Sequence, residues 1–269
     1  MTNKRVLYVS SEVIPYLPET EISSMSFEAP KMVNGRGGQI RIFMPRFGNI
    51  NERRHQLHEV IRLSGMNLVI NDMDMPLIIK VASIPKERIQ VYFIDNEEYF
   101  KRKATTTDED GNLFEDNDER AIFFAKGVVE TVKKLNWAPD IIHVHGWMAS
   151  LLPIYLKNYY KDEPLFQDSK VVLSVYEQGF EGTLNDAMQE KIQFDGFDET
   201  MVSKFAEPSY VNLMSAAIEN SDALVVGSAN IPGTLTDAIK KAKVPSLEFK
   251  SKEEFADAYY DFYNSLVSE

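Results

Sequence analysis

The residues best placed to do chemistry are two histidines on alternate positions, His143 and His145. They end the apolar run Asp140-Ile141-Ile142-His143-Val144-His145 and stand directly before Gly146-Trp147. Strand side chains alternate with period two, so both imidazoles project to one face. A short buried strand that ends in polar groups and a glycine, followed by a helix-like segment over 148–160, is how an α/β sheet brings functional groups to its carboxyl edge. Half of the four histidines in the chain stand here. Their rings can hydrogen-bond a sugar hydroxyl, or one can be a hydrogen-bonded core group and the other the wall of a pocket. As a zinc site the pair supplies only two of the ~4 usual ligands, so no metal is inferred. Trp147 offers a face on which a pyranose can stack, against the plainer role of packing at a helix start.

Other clusters carry less. Asp108, Asp110, Asn112, Asp116 and Glu119 are spaced like a calcium-binding loop, but the glycine falls at Gly111 rather than at the sixth position, and no good helix precedes it. The stretch reads as a solvated acidic loop. Arg53-Arg54 with His55 and His58, and Lys101-Arg102-Lys103, are short basic runs that read as solvated faces.

The elements that must position these groups follow from periodicity. Val6-Leu7-Tyr8-Val9 reads as a central buried strand, residues 10–24 as a loop, and residues 25–34 as a helix that Pro30 either kinks or opens. Residues 39–44 form the next strand, which completes a βαβ unit. Strands are expected over 68–70, 77–82 and 89–94, and a short helix over 96–102. Residues 118–135 are the clearest helix, with Ile122, Ala125, Val129 and Val132 on one face and Asp116 or Asn117 as the cap. A strand over 170–176 follows, then an ambiguous polar stretch over 177–208, a helix over 210–219, a strand over 223–226 and a helix over 234–241. Residues 253–267 place Phe255, Tyr259, Phe262, Tyr263 and Leu266 on one helical face, a stripe that reads as core packing. The expected fold is a single Rossmann-like, doubly wound, mostly parallel α/β sheet over 1–248, with a docked amphipathic helix in 249–269.

Composition narrows the function. The 269 residues are enough for one large α/β domain, and 44% hydrophobic content supports a sizeable core. A net charge of -12 disfavours a nucleic-acid partner, which needs a concentrated basic surface. The absence of cysteine excludes disulfides and thiolate chemistry. The apolar run near the amino terminus is too short for a signal-peptide core, and nothing approaches the ~20 apolar residues of a membrane span. A cytoplasmic protein without a membrane partner is expected.

Several motifs, in order, resemble the bacterial glycogen and plant starch synthases. They are Val6-Leu7-Tyr8-Val9-Ser10-Ser11-Glu12 with Pro15, Pro30-Lys31, Met44-Pro45-Arg46-Phe47-Gly48, and Val91-Tyr92-Phe93-Ile94-Asp95 with Tyr99-Phe100 and Arg102. Asp116-Asn117 with Glu119-Arg120, His143-Val144-His145-Gly146-Trp147, and Ser174-Val175-Tyr176 with Gly182 complete the set. The resemblance spans most of residues 5–245 and implies the N-terminal, acceptor-side half of a GT-B glycosyltransferase, in which glucose passes from ADP-glucose to an α-1,4-glucan. It implies His143, His145, Trp147, Tyr176, Asp116 and Asn117 as substrate-binding positions.

The departures point away from catalysis by this chain alone. Where the family has a Lys-Thr-Gly-Gly loop for the donor, this chain has Pro18-Glu19-Thr20-Glu21; Gly146 and Met148 replace an aspartate and a histidine, and Tyr176 replaces another histidine. No catalytic residue is therefore carried over, no cofactor is implied, and whether the chain is an enzyme is left open. The implied partner is an α-glucan or maltooligosaccharide, with ADP-glucose only when a second domain or chain is present. The alternatives are a non-catalytic glucan-binding or regulatory relative, one chain of a split two-chain synthase, and a dimerising scaffold.

Overall fold

Residues Val6 to Ser10 of the first strand are all buried, as a largely apolar run in the middle of a sheet requires. The computed structural model describes residues 1–267, and residues 268 and 269 of the expected C-terminal segment lie outside the described residues. From β1 (Arg5–Ser10) the chain passes through α1 (Glu21–Gly35) to β2 (Gln39–Pro45), α2 (Glu52–His55) and β3 (His58–Glu59). An antiparallel excursion follows, with β4 (Met66–Ile70), β5 (Met73–Ile84) and β6 (Ile89–Asp95). Next come α3 (Glu97–Phe100), α4 (Asn117–Leu135), β7 (Ile141–His145), α5 (Leu151–Lys157) and β8 (Lys170–Val175). The chain continues through α6 (Met188–Phe194), α7 (Glu199–Val202), α8 (Tyr210–Glu219), β9 (Ala223–Val226), α9 (Gly233–Ala242), β10 (Ser246–Leu247) and α10 (Phe255–Val267). Among the described residues no helix is long and apolar enough to cross a membrane.

The strand order is β10-β9-β8-β7-β1-β2-β6-β5-β3, with β4 paired to β5. The seven strands β1, β2 and β6 to β10 are parallel to one another, while β5 runs antiparallel to β6, β3 and β4. This is the mostly parallel α/β fold read from the sequence. The order reverses between β1 and β7, so their carboxyl ends mark the topological switch point where such sheets bind ligands.

The reversal also decides how the faces are covered. Right-handed crossovers place the β1-to-β2 helix and the helices between β7 and β10 on opposite faces, because the two series of steps run in opposite directions. Accordingly α4 packs on α5, α5 on α8 and α8 on α9, whereas α1 has α10 for a neighbour. The face of β7 and β8 that carries both histidines is left to α10. Phe255, Tyr259 and Tyr263 of that helix are buried, and the Met1 ammonium group donates a hydrogen bond to Asn264.

Three local expectations need correction. Helix α1 starts at Glu21, four residues ahead of the expected 25, because Thr20 and Ser23 form a reciprocal capping box, and the buried Pro30 sits inside the helix rather than opening it. The helix over 148–160 is a 3₁₀ turn at Trp147–Ala149 followed by the short α5. Asp116 occupies the N-cap of α4, but its side chain makes no capping bond there and instead binds Arg102.

A closed switch point and a carboxylate-lined carboxyl edge

The carboxyl ends of β1 and β7 are stitched together where a ligand crevice would open. Ser10 and His145 are register partners; beyond them Ser11 N donates to the His145 carbonyl at 3.0 Å, and Met148 N donates to Ser11 Oγ at 3.2 Å. Gly146 has φ 80° and ψ 156°, a region open essentially to glycine alone. A Cβ at Gly146 would lie 2.5 Å from Ser11 Oγ. The serine hydroxyl fills the space that a side chain at 146 would need.

The histidines themselves are fully buried, with ring centroids 4.0 Å apart. His143 Nδ1 pairs with the Tyr263 hydroxyl of α10, and its Nε2 with Ser174 Oγ at 2.8 Å. His145 Nδ1 pairs with the Tyr176 hydroxyl at 2.8 Å, while its Nε2 has no hydrogen-bond partner among the described residues. The Tyr8 ring lies 6.0 and 6.1 Å from the two imidazoles. Burial, with the neighbouring His145 second, holds His143 well below the usual imidazole range; burial alone takes His145 down to about 3. Both rings are neutral at pH 7. They and their hydroxyl partners form a polar layer between the sheet and α10.

The remaining positions implied by the resemblance fall into separate neighbourhoods. Tyr176 joins the histidine layer, and its ring packs on the backbone at Gly227, where an added Cβ would come within 2.5 Å of it. Trp147, largely buried, turns away to an edge-to-face contact with Phe180 at 4.8 Å. Asp116 accepts from Arg102 Nη2 through both oxygens, at 2.8 and 2.6 Å. The buried Asn117 bridges the Thr106 carbonyl and Arg120, whose guanidinium lies over Phe47, Phe100 and Phe114. Burial lowers the Arg120 pKa to about 10.

The open concavity at the carboxyl edge lies beside these groups, between the first turns of α1 and residues 249–255. It has a volume of about 330 Å³ and is lined by Glu19, Thr20, Glu21 and Ser24 on one side and by Phe249, Lys250, Lys252 and Phe255 on the other. The amino terminus of a long helix attracts anions through its dipole and free N–H groups. Here that attraction is met from within the chain: Glu21 stands in the first turn and accepts from Ser228, and Glu12 accepts from Thr20 Oγ1 at 2.6 Å and from Gln178 at 2.8 Å. A diphosphate against this helix end would meet Glu19, Glu21 and Glu28 at close range, where like charges repel, with Lys250 and Lys252 only across the concavity. A neutral polyhydroxyl ligand meets the reverse: carboxylates that accept, lysines that donate, and Phe249, 39% exposed, as an apolar platform. Phe249, Lys250 and Lys252 were not legible as site residues, because only a two-residue strand and a loop carry them to the edge.

A mostly parallel sheet with its switch point at β1 and β7, flanked by helices on both faces, is a Rossmann-like α/β domain, a class that hosts many chemistries. The solved catalytic domain of starch synthase IV from Arabidopsis thaliana, bound to ADP and acarbose, superimposes with a TM-score of 0.72 at 14% identity, over 92% of this chain and 51% of that one. The sequence matches the starch synthase catalytic domain family over residues 5–236, and the chain belongs to the glycogen/starch synthase family. The glycogen synthase of Chlorobium luteolum is 37% identical over 84% of this chain and 46% of that protein. That of Chlorobaculum tepidum is 32% identical over 98% of this chain and 53% of that protein. The chain thus spans about half the length of the curated relatives it matches.

Proposed function

We propose that this chain is a glucan-binding member of the synthase family that handles the α-1,4-glucan side of the reaction and does not itself hold the donor diphosphate. The observation that carries the reading is the amino terminus of α1. Its first turn is supplied with the chain's own carboxylates, Glu21 in the turn and Glu12 on Thr20, and offers no lysine. The same edge suits a sugar, with Phe249 for stacking and Glu19, Lys250 and Lys252 for hydroxyl groups.

Calorimetric titration with maltoheptaose and, separately, with ADP-glucose tests this. Maltoheptaose is expected to bind saturably, with Phe249→Ala weakening it at least fivefold, as loss of a stacking platform should. Binding of ADP-glucose together with glucosyl transfer to glycogen would replace the proposal with a second reading, a working synthase. Family membership at 37% identity favours that second reading. An absence of maltoheptaose binding would remove the glucan assignment.

A further inference from the structure

The basic run at Arg53-Arg54-His55, which the sequence alone presents as a solvated face, acquires partners in the fold. The turn between β5 and β6 brings Lys86 and Arg88 to the same concavity as Arg54 and His55. This cavity has a volume of about 550 Å³, within the ~300–1,000 Å³ usual for small-ligand sites. Its other lining residues are neutral, so three cationic side chains and the His55 imidazole, whose pKa is lowered by burial and by Arg54, line it with no carboxylate among them, in a chain of net charge -12. Many of the chain's basic groups are in ion pairs: Lys80 with Glu52 and Asp95, Arg46 with the same two acids, Lys126 with Asp195. Among the described residues Arg54, Lys86 and Arg88 make none. The one acid in the turn, Glu87, pairs instead with Lys31 at 2.9 Å.

The backbone adds a second observation. Lys86, Arg88 and Gln56, all three on the cavity wall, are non-glycine residues at φ 71°, 57° and 54°. Gln56 is the left-handed C-cap of α2, and Lys86 and Arg88 belong to the hairpin turn between β5 and β6, so these backbones fix where the two basic side chains stand beside Arg54. His55 is anchored from behind by the Tyr16 ring, edge-on at 5.0 Å.

We infer that this cavity binds a small phosphorylated metabolite, its phosphoryl oxygens held by Arg54, Lys86 and Arg88 and hydrogen-bonded by His55. Arginine suits phosphate because its planar donors match the anion's oxygens. A long polyanion such as nucleic acid is disfavoured, since beyond this cavity it would run along a strongly acidic protein. The site is separate from the carboxyl-edge concavity, and the inference does not rest on the glucan reading.

The test is titration calorimetry of the whole chain with inorganic pyrophosphate in 150 mM salt, on the wild type and on R54Q/R88Q and K86Q. These three side chains are exposed, so the variants should keep the wild-type far-UV spectrum and melting temperature. Saturable binding to the wild type is expected, at least tenfold weaker in R54Q/R88Q and several-fold weaker in K86Q, with pyrophosphate shifting the His55 ring resonances and leaving those of the buried His143 and His145 in place. ADP in a parallel titration identifies the ligand type: affinity tenfold above pyrophosphate means that a nucleoside is also read, and equal affinity means that the phosphoryl groups alone are. If the wild type binds neither probe, or R54Q/R88Q binds both as well as the wild type does, the site is overturned.

Discussion

At the scale of single residues, Gly146 shows how one position sets the path by which the chain leaves a strand. A glycine there lets the chain leave β7 at φ 80° and ψ 156° and admits Ser11 Oγ into the space of the missing side chain. An aspartate, the residue that synthase-type motifs carry at this point, is therefore not simply restorable. Gly146→Asp should lower unfolding free energy by about 3 kcal/mol, combining backbone strain of ~1–3 kcal/mol with the overlap on Ser11. The double variant Ser11→Gly with Gly146→Asp should recover only the overlap part. Urea melts of the three proteins measure this; a stable single variant would show that the β7–α5 turn relaxes freely. The same residues mark what sequence reading reached. The His-x-His strand and its same-face geometry were legible from alternation. That the rings lie under a helix rather than at an open edge was not, because their cover, Tyr263, comes from 120 residues further along the chain.

At the scale of elements, strands and long helices were read well where apolar periodicity is strong, as in β1, β7, β8 and α4. Short, polar elements were not: α6 and α7 lie in the stretch 177–208 that carried no clear signal. Buried Met188, Ile192, Val202 and Phe205 anchor that stretch in the core, and long-range polar bonding adds to them. Lys126 in the middle of α4 donates to the Val69 carbonyl at the end of β4 and to Asp195 just past α6, each at 2.7–2.8 Å. Tyr155 of α5 donates to the other oxygen of Asp195 at 2.6 Å. Both ionic side chains are about 95% buried, at 4% and 5% exposure. Removing one partner of such a pair leaves a desolvated charge and costs roughly 3–5 kcal/mol. Lys126→Met should accordingly destabilise by several kcal/mol, whereas Lys126→Met with Asp195→Asn should recover a good part of the loss. A double-mutant cycle on chemical unfolding measures the coupling, and additive effects would mean that the pair does not hold α4, β4 and α6 together.

At the scale of the whole molecule, the path of the chain leaves one face of β7 and β8 bare until α10 returns to it, and the layer so enclosed is polar. Its two histidines have pKa values depressed by burial, so below their unfolded value of ~6.5 the unfolded chain takes up protons that the folded one refuses. Stability must then fall as pH drops below ~6.5, and for His145 the loss continues to about pH 3, where the folded ring itself protonates. Between pH 7.5 and 5.5 the His145 ring contributes a loss of about 1.4 kcal/mol, and His143 adds to it in the same direction. Asp118, whose pKa is raised mainly by burial, acts in the opposite direction, but at lower pH, where carboxylates titrate. His145→Gln retains an amide for the Tyr176 hydroxyl and loses the titration, so its stability should fall by about 1.4 kcal/mol less than the wild type over the same interval. Unfolding in urea at the two pH values, followed by circular dichroism, gives both differences. Equal losses in variant and wild type would mean that the ring is reached by protons in the folded state, and hence that α10 does not seal the layer. A seal confirmed in this way would make the histidine layer structural and set it apart from the two proposed ligand sites, the carboxyl-edge concavity and the basic cavity.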